Sequence, residues 1–285
     1  MMLRPLLAAA AAAALIAAPA LADGHAGNTG YALAYDSNTL VVMPDIAAPD
    51  VVKTFDLEKR VDALAWRPVT GELLGFSNGA IYNINPANGR MTDLKAKFMA
   101  DAAIADDATV AFDFNNKIDA VRAVTSKGDN LVYFPKGFGN NDEKASSVRR
   151  FTSVAYGDED VNAGAEPLIF ANAYTNAIPG AKASGTFQYA LDANTNSLVS
   201  LANNAGTLET IAPVTVDGQP VNLAPLGGLD IVSKAEGQDA SYAILQMEGA
   251  SSAGLYAIDM KTGAATLISD LGIGGISSFA LSLPQ

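Results

Sequence analysis

The chain has no cysteine, one histidine and one tryptophan. Without cysteine there is no disulfide, no thiolate metal site and no cysteine nucleophile, so stability rests on packing and hydrogen bonds. The single histidine, His25, lies close to the N-terminus. A Ser-His-Asp or Cys-His mechanism thus has no base within the body of the chain, and a His-rich zinc site is equally excluded. Positive charge is also scarce, with 18 Lys and Arg against 30 Asp and Glu and a net charge of −12. Such a balance disfavours nucleic acid and anionic lipid and favours cations or basic partners, although acidity also simply maintains solubility.

Long apolar runs are missing beyond the first residues. Arg4, the alanine- and leucine-rich run from Leu6 to Ala18 and the small-residue site Ala20-Leu-Ala22 form a secretory signal, with cleavage expected after Ala22. The run is too short for a membrane anchor, and polar Asp23-Gly-His25 follows at once. The expected product is periplasmic or secreted. It has a flexible lead over 23–29 and one domain over 30–285.

The remainder lacks a long 3.6-residue period; Gly, Asn and Ser punctuate it every few residues. Short runs rich in β-branched and aromatic residues recur in fours, as in Gly228–Ser233, Tyr242–Met247, Gly254–Asp259 and Ala265–Ser269. Earlier units open at Asp62, Val110 and Ile169, and a copy lacking its first strand opens at Tyr31. The missing strand resembles Ile276–Leu283 at the far end of the chain. Aligned first strands place Ala65, Asp113, Ala173, Asp230 and Ala280 in register, 48, 60, 57 and 50 residues apart. The expected fold is all-β: a β-propeller of five four-stranded blades, closed by the C-terminal strand completing the N-terminal blade. Six blades and a β-sandwich are the competing architectures. One short helix is expected within 99–107.

The alignment puts Asp113 and Asp230 at one level of the central channel, with Arg67, Asn115, Thr175 and Ser282 two residues further on. Two carboxylates facing a polar tunnel can hold a cation or serve as acid and base on a sugar; they can equally hydrogen-bond loop amides. In Gly157–Gly164, Asp158, Asp160 and Asn162 alternate as calcium ligands do, with Glu166 nearby. Ala163 stands where a calcium loop carries glycine, and the competing reading is an acidic surface turn. Tyr133, Phe134, Phe138, Tyr156 and Tyr174 either form a sugar-stacking face or pack between blades. Lys144–Arg150 is a basic segment that can clamp a carboxylate or line a solvated edge.

Several motifs in order carry a family resemblance: Phe112-Asp-Phe-Asn115 with Asp119 and Arg122, Gly157-Asp-x-Asp-x-Asn-Ala-Gly164, Ala173-Tyr-Thr-Asn176, Gly206-Thr-Leu208 and Gly228-Leu-Asp-Ile231. Over Leu33 to Leu281 the chain resembles an exported bacterial family, domain of unknown function 4394. Asn116 replaces a usual proline, and Ala202-Asn-Asn204 replaces a proline-rich turn. The resemblance implies a propeller and brings no reaction with it. The expected function is an exported, non-enzymatic binding or interaction module with an unknown ligand or protein partner. No cofactor is required, and calcium is the one candidate. A carboxylate-based glycan-active enzyme and a calcium-stabilised structural protein are the alternatives.

Overall fold

The structure is a computed structural model and describes residues 27–284 except 35–36 and 141. The expected signal, its cleavage site and His25 lie outside the described residues. Within the expected lead, Asn28 is buried and Thr29 opens the first strand.

Among the described residues, twenty-four strands form five sheets arranged in a ring. Blade 1 contains Ser278–Ser282, Thr29–Ala34, Thr39–Met43 and Lys53–Asp56, from the axis outward. The chain's end is therefore the innermost strand of its first sheet, in the register Thr29↔Ser282 to Leu33↔Ser278. Blade 2 runs Ala63–Arg67, Glu72–Ser77, Ala80–Ile84 and Met91–Asp93. The innermost strands of blades 3, 4 and 5 are Val110–Asn115, Ile169–Tyr174 and Leu223–Ser233. Each innermost strand packs against those of its two neighbours, which closes the ring.

The expectation of four strands per blade holds only for blades 1 and 2. On leaving one blade, the chain first adds a short parallel strand to the outer edge of the next. Lys97–Phe98 pairs with Ser147–Arg150, Ala155–Tyr156 with Thr207–Pro213, and Thr215–Val216 with Ala264–Asp270. Blades 3 and 4 thus have five strands, and blade 5 has six because Gln219–Pro220 pairs antiparallel with Thr215–Val216 outside it. These additions cover edges whose N–H and C=O groups would otherwise lack partners. Ser147–Arg150 ends blade 3, and Ala155–Tyr156 already belongs to blade 4.

The short helix expected within 99–107 is absent. Met99 N–H donates to the Val148 carbonyl, extending the sheet edge, and two reverse turns follow. The Arg150 guanidinium holds the Asp101 and Ala103 carbonyls. A segment this short gains too little to nucleate a helix against those contacts.

The core is divided among the seams between blades. Phe76, Phe112, Phe114 and Tyr133 pack between blades 2 and 3. Phe170, Leu229, Ile231 and Leu245 pack between blades 4 and 5, and Phe279, Ile244 and Leu255 between blades 5 and 1. Each large apolar side chain buried in this way stabilises the ring by roughly 1.5–3 kcal/mol. At the blade 5–blade 1 seam the backbones approach too closely for side chains. A Cβ on Gly228 would lie 2.5 Å from the Phe279 nitrogen and 2.7 Å from the Phe279 Cβ. Gly228→Ala should therefore cost at least about 3 kcal/mol in urea unfolding. The control Gly79→Ala, with φ +89° and open space around it, should cost only about 1–2 kcal/mol. Equal losses would show that the seam is not the tight point.

Candidate functional site

Two features lie on or near the ring axis. The first is a small cavity of about 10 Å3 lined by Asp113, Asp230, Trp66, Ile231 and Leu281 among others. Both carboxyls are buried, as equivalent positions on two innermost strands require. Asp113 Oδ2 accepts the Tyr174 N–H at 2.6 Å, and Asp230 Oδ2 accepts the Leu281 N–H at 2.5 Å. Asp230 Oδ1 also accepts the N–H of Ile231 at 2.6 Å. Burial, and then the charge of Asp230, hold Asp113 well above the usual carboxylate range, against the N–H donors of Tyr174 and Phe114. Burial raises Asp230 to about 7, against the N–H groups of Leu281 and Ile231.

The cavity has room for about one water molecule, so no sugar ring fits between these carboxyls. Its lower side is covered by the segment after Tyr174. Ala177 and Pro179 line the cavity, Gly180 N–H donates to the Pro68 carbonyl, and Ala177 N–H donates to Ser233 Oγ at 2.9 Å.

The other expected channel residues do not join the pair. Arg67 forks onto Asp119 at 2.6 and 2.8 Å and reaches Glu72 at 2.9 Å, tying blade 2 to blade 3. Asn115 accepts the N–H groups of Lys117 and Ile118 in its own hairpin. Thr175 accepts the Phe187 N–H at 2.8 Å, and Ser282 meets the Tyr31 hydroxyl at 3.2 Å. A side chain two positions along a strand shares its face, but here each finds a partner in its own blade or in the neighbouring blade.

In the acidic loop, Asp160 accepts the Thr210 N–H at 2.6 Å, the Thr210 hydroxyl at 2.8 Å and the Asn162 N–H at 2.8 Å. Asn162 Nδ2 donates to Thr210 Oγ1 at 2.8 Å, and Asp158 is exposed. The loop is thereby fastened to the outer strand of blade 4. No three His, Cys, Asp or Glu side chains gather as metal ligands among the described residues. Glu166 contributes its backbone carbonyl to Asn194 Nδ2.

Tyr133, Phe134, Tyr156 and Tyr174 are buried, and Phe138 packs edge-on to Phe134 at 4.7 Å. They pack within and between blades. Within the basic segment, Arg150 binds Asp129 at 2.6 Å as well as the two linker carbonyls, and Arg149 lies 3.5 Å from Glu143.

The second feature was not visible in the aligned strands. On the upper face, where the innermost strands begin, lies a groove of about 370 Å3. Ser37 and Ser277 come from blade 1, Arg60 and Asp62 from the approach to blade 2, Asp106, Asp107 and Thr109 from the approach to blade 3, and Leu226 from blade 5. A neighbouring recess of about 280 Å3 shares Arg60, Asp62 and Asp106 and adds Ser77 and Asn78. Arg60 Nε donates to Asp62 Oδ1 at 2.8 Å, and the Ser37 and Ser277 hydroxyls meet at 3.0 Å. Lys127 lies 3.1 Å from Asp107 and keeps its carboxyl below the usual range. The available signal was positional, because most of these residues sit just upstream of an innermost strand.

A ring of five sheets, closed head to tail and carrying a polar groove over its axis, is a five-bladed β-propeller. The chain belongs to the family described as domain of unknown function (DUF4394), whose profile matches residues 40–280. No curated protein matches it. Among solved structures, a protein of unknown function from Bacteroides caccae is 10% identical, covering 90% of this chain and 99% of that one with a TM-score of 0.40. An auxiliary nutrient binding protein from Bacteroides thetaiotaomicron is 11% identical, covering 75% of this chain and 55% of that one, with a TM-score of 0.39. The nidogen/laminin complex is 11% identical, covering 90% of this chain and 99% of that one with a TM-score of 0.48. The chain spans about half the length of two further Bacteroides proteins that it resembles.

Because the Asp160 oxygens are already occupied by N–H and O–H donors, calcium should not stabilise the fold. The melting temperature should be unchanged by millimolar calcium or by EDTA. A calcium-dependent rise would restore the loop as a metal site, since a ligand bound only by the native state raises apparent stability.

Proposed function

We propose that the protein is a non-catalytic binding module whose ligand sits in the upper-face groove. The observation that carries this reading is the convergence of polar side chains from three blades, with Leu226 of a fourth, on one concavity over the axis. Its volume falls within the few hundred Å3 usual for small-molecule sites. Asp62, Asp106 and Asp107 with the hydroxyls of Ser37, Thr109 and Ser277 offer acceptors in excess of donors. That chemistry suits a small polar ligand rich in N–H or O–H groups and neutral or positive in charge. The axial carboxyls, capped by backbone amides, are not part of this site.

Calorimetric titration against a panel of sugars, polyols, amines and amino acids tests the reading. A ligand from that panel should bind, and Asp106→Ala with Asp107→Ala should weaken it at least tenfold, or about 1.4 kcal/mol, without lowering the melting temperature. Binding that survives both substitutions, or no binding across the panel, would remove the groove from consideration.

We also propose that the protein works outside the cytoplasm. The support is the charged start, apolar run and small-residue site over 1–22. No helix among the described residues is long and apolar enough to cross a membrane. N-terminal sequencing of protein recovered from the extracytoplasmic fraction should begin at Asp23; recovery from the cytoplasm with Met1 intact would contradict export.

A further inference from the structure

The axial carboxyls take no part in the groove, yet both are buried around one small cavity. Each joins its own innermost strand to the next one round the ring: Asp113 ties blade 3 to blade 4 through Tyr174 N–H, and Asp230 ties blade 5 to blade 1 through Leu281 N–H. The second tie lies on the strand that closes the circle. Both carboxyls face one cavity with space for about a single water.

Among the described residues, no cation is paired with them. Arg122 stands opposite Asp113 in register, but its guanidinium points to Tyr174 Oη at 2.9 Å, Asn204 Oδ1 at 2.8 Å and Asn130. Arg67 is committed to Asp119 and Glu72, and Lys182, on the covering segment, donates to the Ile118 carbonyl at 3.3 Å. Asp239, at the lower end of blade 5, accepts from Ser233 Oγ and Asn176 N–H. Tyr174 is pushed up to about 12, chiefly by burial, and Tyr242, opposite Asp230, is also pushed up to about 12 by burial. Two uncompensated negative charges in so small and dry a space repel strongly.

We propose that Asp113 and Asp230 form a proton-operated latch: a proton shared across the axial cavity holds the blade 5–blade 1 seam shut, and its release loosens that seam. The unfolded chain gives up both protons near pH 4, whereas burial makes the native state keep them longer. The native state binds more protons over this interval, so the pair's contribution is complete below about pH 4 and is lost as pH rises, chiefly through about 7. Each retained proton makes the unfolding constant rise up to about tenfold per pH unit.

Hydrogen exchange on the full mature chain locates the effect, at about pH 6 and about pH 8.5, with exchange times scaled for base catalysis. Peptides over Ser278–Ser282 and Thr29–Ala34 should lose at least tenfold more protection at the higher pH than peptides over Glu72–Ser77. Asp230→Asn should abolish that difference. Infrared spectra of the unaltered protein should show a protonated carboxyl band at the lower pH that fades at the higher, a readout that needs no variant. Three results would overturn the latch: no such band, parallel protection changes in all blades, or protection at high pH restored by sodium or calcium in place of the proton.

Discussion

The hydrogen bonds between Ser278–Ser282 and Thr29–Ala34 are the constraint on which the remaining structure depends. Every other sheet is contiguous in the chain apart from short additions at its outer edge, but the first sheet is complete only with the last strand, Ser278–Ser282. Until then one innermost strand is missing, and Ile244 and Leu255 lack the Phe279 side of their core. The cavity containing Asp230 also lacks Leu281, which forms one of its walls.

Closure alone does not fix the blades; each seam adds a polar tie to its apolar core. Ser278 Oγ accepts Leu64 N–H at 2.8 Å between blades 1 and 2, and Arg67 forks onto Asp119 between blades 2 and 3. Asp113 serves between blades 3 and 4, Ser233 between 4 and 5, and Asp230 between 5 and 1. A buried acceptor left without its donor is costly, commonly 1–3 kcal/mol, so such ties select one relative placement of neighbouring sheets. The seam between blades 3 and 4 goes furthest, with the buried Arg122 guanidinium held entirely by neutral acceptors.

The blade pattern was legible because its causes are local. Alternating apolar runs and turn residues marked Gly254–Asp259 and Ala265–Ser269 to within one residue at each end, and the likeness of Ile276–Leu283 to other first strands revealed the closure. The two-residue edge strands were not legible, since Lys97–Phe98 is strand only through its partner 50 positions away. The alignment found Asp113 and Asp230 as a pair, but not their burial, which depends on the segment covering the lower end of the channel. It placed Arg67 in the channel because nothing near Arg67 reveals Asp119. The groove escaped altogether: its residues share no spacing, only a common position above the axis. At Asp160, ligand alternation and a hydrogen-bonded turn use the same oxygen atoms, and the partner Thr210, far along the chain, was not legible.

The pairing of Thr29 with Ser282 also has a mechanical meaning. The two ends of the described chain leave the ring side by side, at the same end of one antiparallel ladder. Tension applied between them would load the ladder one rung at a time, peeling it open instead of shearing all its rungs together. The ring is therefore weakest to a pull on its own termini, and attachment through one end alone would spare the seam.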